Sequence, residues 1–171
     1  VTHDHEEALS ISDRVALMYR FFFFNDTATT EIYTAPSSFF VADFIGVNNL
    51  LHAECLGGGK VRWRERIFSI PGVAGHAQGP CRLAIRPERV AVAPRGRQDA
   101  DVPGTPPGAE TCVVPGTVEG RIFLGPLIRG AVDVGGERIL ADVLNAEGAV
   151  FDAGTEVELR FSAEDMRVLF E

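Results

Sequence analysis

The apolar and polar positions of this chain change period near Asn48. Before that point the signals are helical. Over residues 35–46, Phe40, Val41, Phe44 and Ile45 fall on one apolar helix face, with Ser37 or Ser38 as cap and Gly46 as terminator. Over residues 1–20, Asp4 can accept from the first-turn N–H groups and Glu7 can reach back, a capping-box arrangement. Glu6 and Glu7 also suit the positive end of the helix dipole. This predicts a helix to about Ser12, followed by a short buried strand from Arg14 to Met18.

From Leu50 onward the runs are short, apolar or alternating, and separated by Gly/Pro turns. Strands are predicted at 50–56, 60–64, 67–70, 81–85 and 88–93, and again at 111–124, 127–134, 137–144 and 156–161. Gly57-Gly58-Gly59, Pro71-Gly72 and Gly135-Gly136 punctuate them as turns. The stretch 94–110, with Pro94, Pro103, Pro106 and Pro107, reads as a flexible loop. The fold class is therefore mixed, mostly β: a helical part at 1–48, then a small all-β barrel-like domain at 49–171.

Composition narrows the partners. The chain has 171 residues, 46% hydrophobic and 23% charged, which allows a buried core of useful size. Its net charge of −8 argues against a nucleic-acid partner, because such domains gather Lys and Arg against phosphates. The nearest basic cluster, Arg62, Arg64 and Arg66, alternates as the solvated face of a strand would. Cys55, Cys81 and Cys112 match no zinc spacing and read as free thiols in a reducing compartment. No apolar run approaches the ~20 residues a membrane helix needs. The start at Val-Thr-His-Asp, without Met or signal segment, reads as a chain cut open in mid-domain.

Residues 21–34, Phe-Phe-Phe-Phe-Asn-Asp-Thr-Ala-Thr-Thr-Glu-Ile-Tyr-Thr, fit neither rhythm. Phe21 to Phe24 as a buried strand is one reading. The sharper one is that Asn25 to Thr34 are what AAT GAT ACG GCG ACC ACC GAG ATC TAC AC(N) encodes. That string resembles a sequencing-library adapter read in frame, and the four Phe would be a poly-T run. On this reading 21–30 are non-native sequence, and they are expected to be the least ordered part of the helical region.

Residues 1–18, Val-Thr-His-Asp-x-Glu-Glu-Ala-Leu-x-x-Ser-Asp-Arg-Val-Ala-Leu-Met, closely resemble the switch-loop segment of ABC-importer ATP-binding subunits of the sugar, polyamine and ferric-iron type. Glu31-Ile32-Tyr33, Pro36 and Phe40-Val41-Ala42-Asp43-Phe44-Ile45-Gly46 match the end of that family's nucleotide-binding domain. Leu83-Ala84-Ile85-Arg86-Pro87-Glu88 and Gly116-Thr117-Val118 through Phe123-Leu124-Gly125 look like its C-terminal oligonucleotide-binding-type (TOBE-like) regulatory domain. The resemblance implies that 1–48 are the remnant of a P-loop α/β nucleotide-binding domain. It implies ATP and magnesium as cofactors of the full-length protein, transmembrane permease subunits and a second ATPase subunit as partners, and an external solute-binding protein indirectly. The expected location is the cytoplasmic face of the bacterial inner membrane.

The resemblance also makes His3 the switch histidine that senses the γ-phosphate of ATP. A loop imidazole is suited to that work, since phosphoryl transfer depends on positioning and electrostatic stabilisation. His5, His52 and His76 are assigned no role. The phosphate-binding loop is absent: Gly59-Lys60 is followed by Val61, and Glu54 stands where the first Gly belongs. The signature and magnesium-binding segments are absent too, so this fragment is expected to be inactive alone. The competing expectation is a stand-alone β-barrel module that holds a small ligand or regulatory partner without catalysis.

Overall fold

The computed structural model describes residues 4–19, 22–34, 36, 38–70, 73, 75–96, 111–145 and 151–170. These fall into two compact units, Val1–Asn48 with Leu169–Glu171, and Asn49–Val168.

In the first unit, helix α1 (His5–Ile11) starts where Asp4 accepts from the Glu7 backbone N–H at 3.0 Å. The satisfied first-turn donor is what an Asp cap supplies. Strand β1 (Arg14–Tyr19) pairs antiparallel with β2 (Phe22–Ala28), the register running from Arg14↔Ala28 to Tyr19↔Phe22. Helices α2 (Thr29–Thr34) and α3 (Phe39–Phe44) follow. Ser38 caps α3 by accepting from Val41 N–H at 3.3 Å, and Gly46 follows at φ +74°. Leu17, Ile32, Val41 and Ile45 form the core, with Leu9, Val15, Tyr33 and Phe40 packed against it.

Three expectations change here. From Arg14 to Met18 strand β1 is not buried throughout: Leu17 is buried, while Arg14, Ala16 and Met18 are exposed, because a two-stranded ribbon has a single covered face. Phe44 does not join the apolar face of α3. It is 41% exposed and stacks on Phe40 at 5.4 Å, while Val41, Ala42 and Ile45 do the burying. Residues 21–30, expected to be the least ordered part, include β2 and the start of α2, so the alternative reading of a strand at Phe21 to Phe24 is met from Phe22 on; antiparallel pairing needs backbone N–H and C=O groups, not an amphipathic side-chain pattern. The side chains of Phe22 to Asp26 lie outside the described residues.

The second unit holds two five-stranded sheets. One contains β3 (Asn49–Gly57), β4 (Lys60–Trp63), β5 (Arg66–Ser69), β6 (Gly79–Ile85) and β12 (Arg167–Leu169), in the order β12-β6-β3-β4-β5. The other contains β7 (Ala91–Pro94), β8 (Thr111–Phe123), β9 (Leu127–Val134), β10 (Glu137–Leu144) and β11 (Glu156–Ser162), ordered β10-β9-β8-β11-β7. Strict alternation along β9 sends Ile128, Gly130, Val132 and Val134 inward. Gly130 is needed there, since a Cβ would lie 2.1 Å from the ring of buried Phe151. The β9–β10 turn uses Gly135 (φ +57°) and Gly136 (φ +87°), the left-handed pair that a tight hairpin demands.

Most strand expectations from 50 to 161 match this set. The run 88–93 is shorter than expected. A 3₁₀ turn occupies Pro87–Arg89, with proline at its first position, and extended pairing begins only at Ala91. The last strand, Arg167–Leu169, went unanticipated because three residues carry almost no periodicity. From residue 97 the Pro-rich loop lies outside the described residues.

Candidate functional site

His3, the expected switch histidine, lies outside the described residues, which begin at Asp4. His52 sits on β3 with its side chain 78% exposed, and His76 is exposed in the bend before β6. Gly58 and Gly59 form the β3–β4 turn, so that glycine run serves a hairpin. Cys55, Cys81 and Cys112 are free thiols, all buried. Burial, reinforced by neighbouring Cys55, pushes the Cys81 thiol up to about 11. Burial likewise raises the Asp165 carboxyl, opposed by Arg89 and Arg167.

The described residues converge instead at the turn between β4 and β5, where it meets the β9–β10 hairpin. Trp63 closes β4 and is fully buried, its ring 5.9 Å from Phe161 of the other sheet. Its indole N–H donates to Glu137 Oε2 at 2.9 Å. The second oxygen, Oε1, accepts from the His52 backbone N–H at 3.1 Å. Arg64 Nε stands 3.8 Å from Glu137 Oε2. One carboxylate at the start of β10 thus holds β3, β4 and the turn that follows β4. A charged acceptor with two N–H donors is strongly held.

Arg64 adopts φ +54°, the one described non-glycine residue in the left-handed region. That conformation carries a backbone cost and needs compensating contacts. They are present: the guanidinium lies 5.4 Å over the Trp63 ring, and Nη2 donates to the carbonyls of Val134 and Gly135. Arg66 Nη2 donates to the Val113 carbonyl at 2.7 Å. Arg62, Arg64 and Arg66 are all exposed, as a solvated face requires, but only Arg62 lies on the face of β4, where it pairs with Glu54 across the strands. The reason is that Arg64 and Glu65 form the turn itself, which breaks the alternation. A solitary Trp followed by Arg before a polar turn was the available signal.

Between these elements lies an open cleft of about 380 Å³, bordered by Trp63, Arg64, Glu65 and Arg66 on one side. Val114, Pro115, Val134 and Gly135 form the other. Its lining is largely apolar, Arg64, Glu65 and Arg66 are its charged residues, and it belongs entirely to the second unit.

These features define a small two-sheet β unit with a cleft lined by both apolar and charged residues. In shape the chain is similar to the cytoplasmic molybdate-binding protein ModG in a molybdate-bound structure, with a TM-score of 0.52 and 13% identity. The match covers 72% of this chain and 96% of that one, and at that identity it speaks for the fold alone. The sequence profile of the TOBE domain matches residues 83–169, and the chain belongs to the TOBE domain family.

Its curated relatives are import ATP-binding proteins. The Fe(3+) ions import ATP-binding protein of Rhizobium etli is 35% identical over 104 residues, 57% of this chain and 29% of that protein. The sulfate/thiosulfate import ATP-binding protein of Chromobacterium violaceum is 43% identical over 95 residues, 56% of this chain and 26% of that protein. A spermidine/putrescine import ATP-binding protein of Pseudomonas aeruginosa is 33% identical over 175 residues, 95% of this chain and 46% of that protein. The chain thus spans between about a quarter and just under half of the length of the relatives it matches. Among the described residues, no helix is long and apolar enough to cross a membrane.

Proposed function

We propose that this chain is the C-terminal part of the ATP-hydrolysing subunit of an ABC importer, with residues 1–48 ending the nucleotide-binding domain and 49–171 forming the regulatory domain. The observation that carries this reading is the relative aligned over 95% of the chain, an alignment too long to be confined to the TOBE region at 83–169. The capped helix α1 supports it, since Asp4 and Glu7 belong to the switch-loop resemblance and form the cap the sequence implied. In the whole protein ATP and magnesium would supply the chemistry of phosphoryl transfer, and His3 is the residue we assign to the γ-phosphate. Permease subunits and a second ATPase subunit are the partners, the cytoplasmic membrane face is the location, and cargo choice lies with the permease and its external binding protein.

The test is to read the source locus upstream of Val1. A phosphate-binding loop of the form G-x-x-x-x-G-K-[ST], in frame, is expected. A start codon directly before Val1, with no such loop, overturns the reading. The same amplification decides the adapter reading of 21–34: native codons there support it, and the present codons refute it.

A further inference from the structure

We propose that the cleft beside Trp63 binds a small organic carboxylate with an apolar body. Size comes first. At about 380 Å³ it lies at the lower end of the roughly 300–1,000 Å³ usual for small-molecule sites, and is roomier than a bare tetrahedral anion needs. Val114, Pro115 and Val134 are the apolar part of its lining and suit a hydrocarbon body.

Charge sets the other end of the ligand. Arg64 and Arg66 both line the cleft. One amino group of each is committed to backbone carbonyls of the opposite sheet, so the remaining guanidinium edge is pre-positioned. A planar guanidinium edge matches a planar carboxylate. Arg64 is partly neutralised by Glu137, 3.8 Å away. Arg66 has no ion pair among the described residues, its contact being the Val113 carbonyl. Glu65 also borders the cleft. Arg66 is therefore the guanidinium left to meet a carboxylate, and the apolar part of the lining suits a hydrocarbon body. The site lies wholly within residues 49–168 and stands whether or not the chain serves an importer.

Trp63 makes the test direct, because it is the only tryptophan in the chain and lines the cleft. The full chain is titrated with sodium hexanoate, sodium benzoate, sodium sulfate and n-hexylamine, read by calorimetry and by Trp63 emission. The expected result is saturable one-to-one binding of hexanoate or benzoate with a shift in Trp63 emission, and none with hexylamine or sulfate. Arg66→Gln, checked for folding by circular dichroism, should weaken that binding by about tenfold or more. Should Arg66→Gln fail to fold, the contrast between hexanoate and hexylamine on the unaltered chain decides alone. The proposal is overturned if no carboxylate saturates, if hexylamine or sulfate binds as well as hexanoate, or if folded Arg66→Gln binds like the parent.

Discussion

The indole of Trp63 donates to Glu137 Oε2 at 2.9 Å, joining the end of β4 in one sheet to the start of β10 in the other. The two residues are 74 positions apart in sequence. Because the other oxygen of Glu137 accepts from His52 N–H, Glu137→Ala leaves two donors without their acceptor. The expected loss is about 2–3 kcal/mol, since a buried donor left unpaired costs its desolvation. Glu137→Gln should cost less, keeping one carbonyl acceptor but turning its amino group toward the other donor. Urea unfolding followed by Trp63 emission checks both, and equal stability of the three proteins would show that the bridge contributes nothing.

Gly130 and Phe151 offer a test of packing. A Cβ at 130 would stand 2.1 Å from the Phe151 ring, so Gly130→Ala should destabilise by about 1–3 kcal/mol through overpacking. Phe151→Ala alone opens a cavity and should cost about 3–5 kcal/mol. In the double variant the methyl enters space the ring has left, so the two losses should fall well short of their sum. Additive losses in thermal melts would mean that the ring does not press on that backbone.

How much of this was readable beforehand depends on range. The α1 and α3 caps were legible because Asp4–Glu7 and Ser38–Val41 are contacts three residues apart. The hairpin turns were legible because Gly135 and Gly136 answer a local steric demand. The cleft was not legible. Its lining depends on Arg64 meeting Val134 and Gly135, about 70 positions away, and on a turn that breaks the alternation suggesting a solvated face. Strand β2 was legible only at its Phe run; its polar half, Asn25 to Ala28, was not, since backbone pairing with β1 makes no demand on side-chain period.

Cys81 gives a pH dependence with a definite sign. Its folded-state pKa, raised by burial from 9.0 to about 11, exceeds that of the unfolded thiol. The unfolded chain therefore loses this proton first as pH rises. The stability linked to Cys81 is fully present below pH 9.0 and declines as pH climbs toward 11. Denaturant midpoints across that window should fall less steeply for Cys81→Ser than for the parent. Iodoacetamide should modify the folded chain at Cys81 far more slowly than the unfolded one, because the thiolate is the reactive form. Equal rates would show the thiol to be open and ionised.

The last prediction concerns His3 under the import reading, in the full-length subunit with native residues restored at 21–30. Importer ATPases of the resembled family close as dimers over two ATP molecules, and His3 immediately precedes Asp4, which fixes the start of α1 by its 3.0 Å bond to Glu7 N–H. On the import reading this histidine acts on the γ-phosphate in the closed state, while the phosphate loop, adenine contacts and magnesium supply most ground-state binding. Losing a positioned contact of this kind costs about 10²–10³ in the chemical step and little in affinity. His3→Ala should therefore abolish transport and nearly all turnover while still binding ATP. Asp4→Ala removes the cap and not the imidazole, so it should reduce turnover less while lowering stability by about 1 kcal/mol. Paired assays of ATP binding and single-turnover hydrolysis separate these effects. Turnover above about half of the parent in His3→Ala would remove the histidine from the mechanism, because a group acting on the transferred phosphoryl cannot be lost so cheaply.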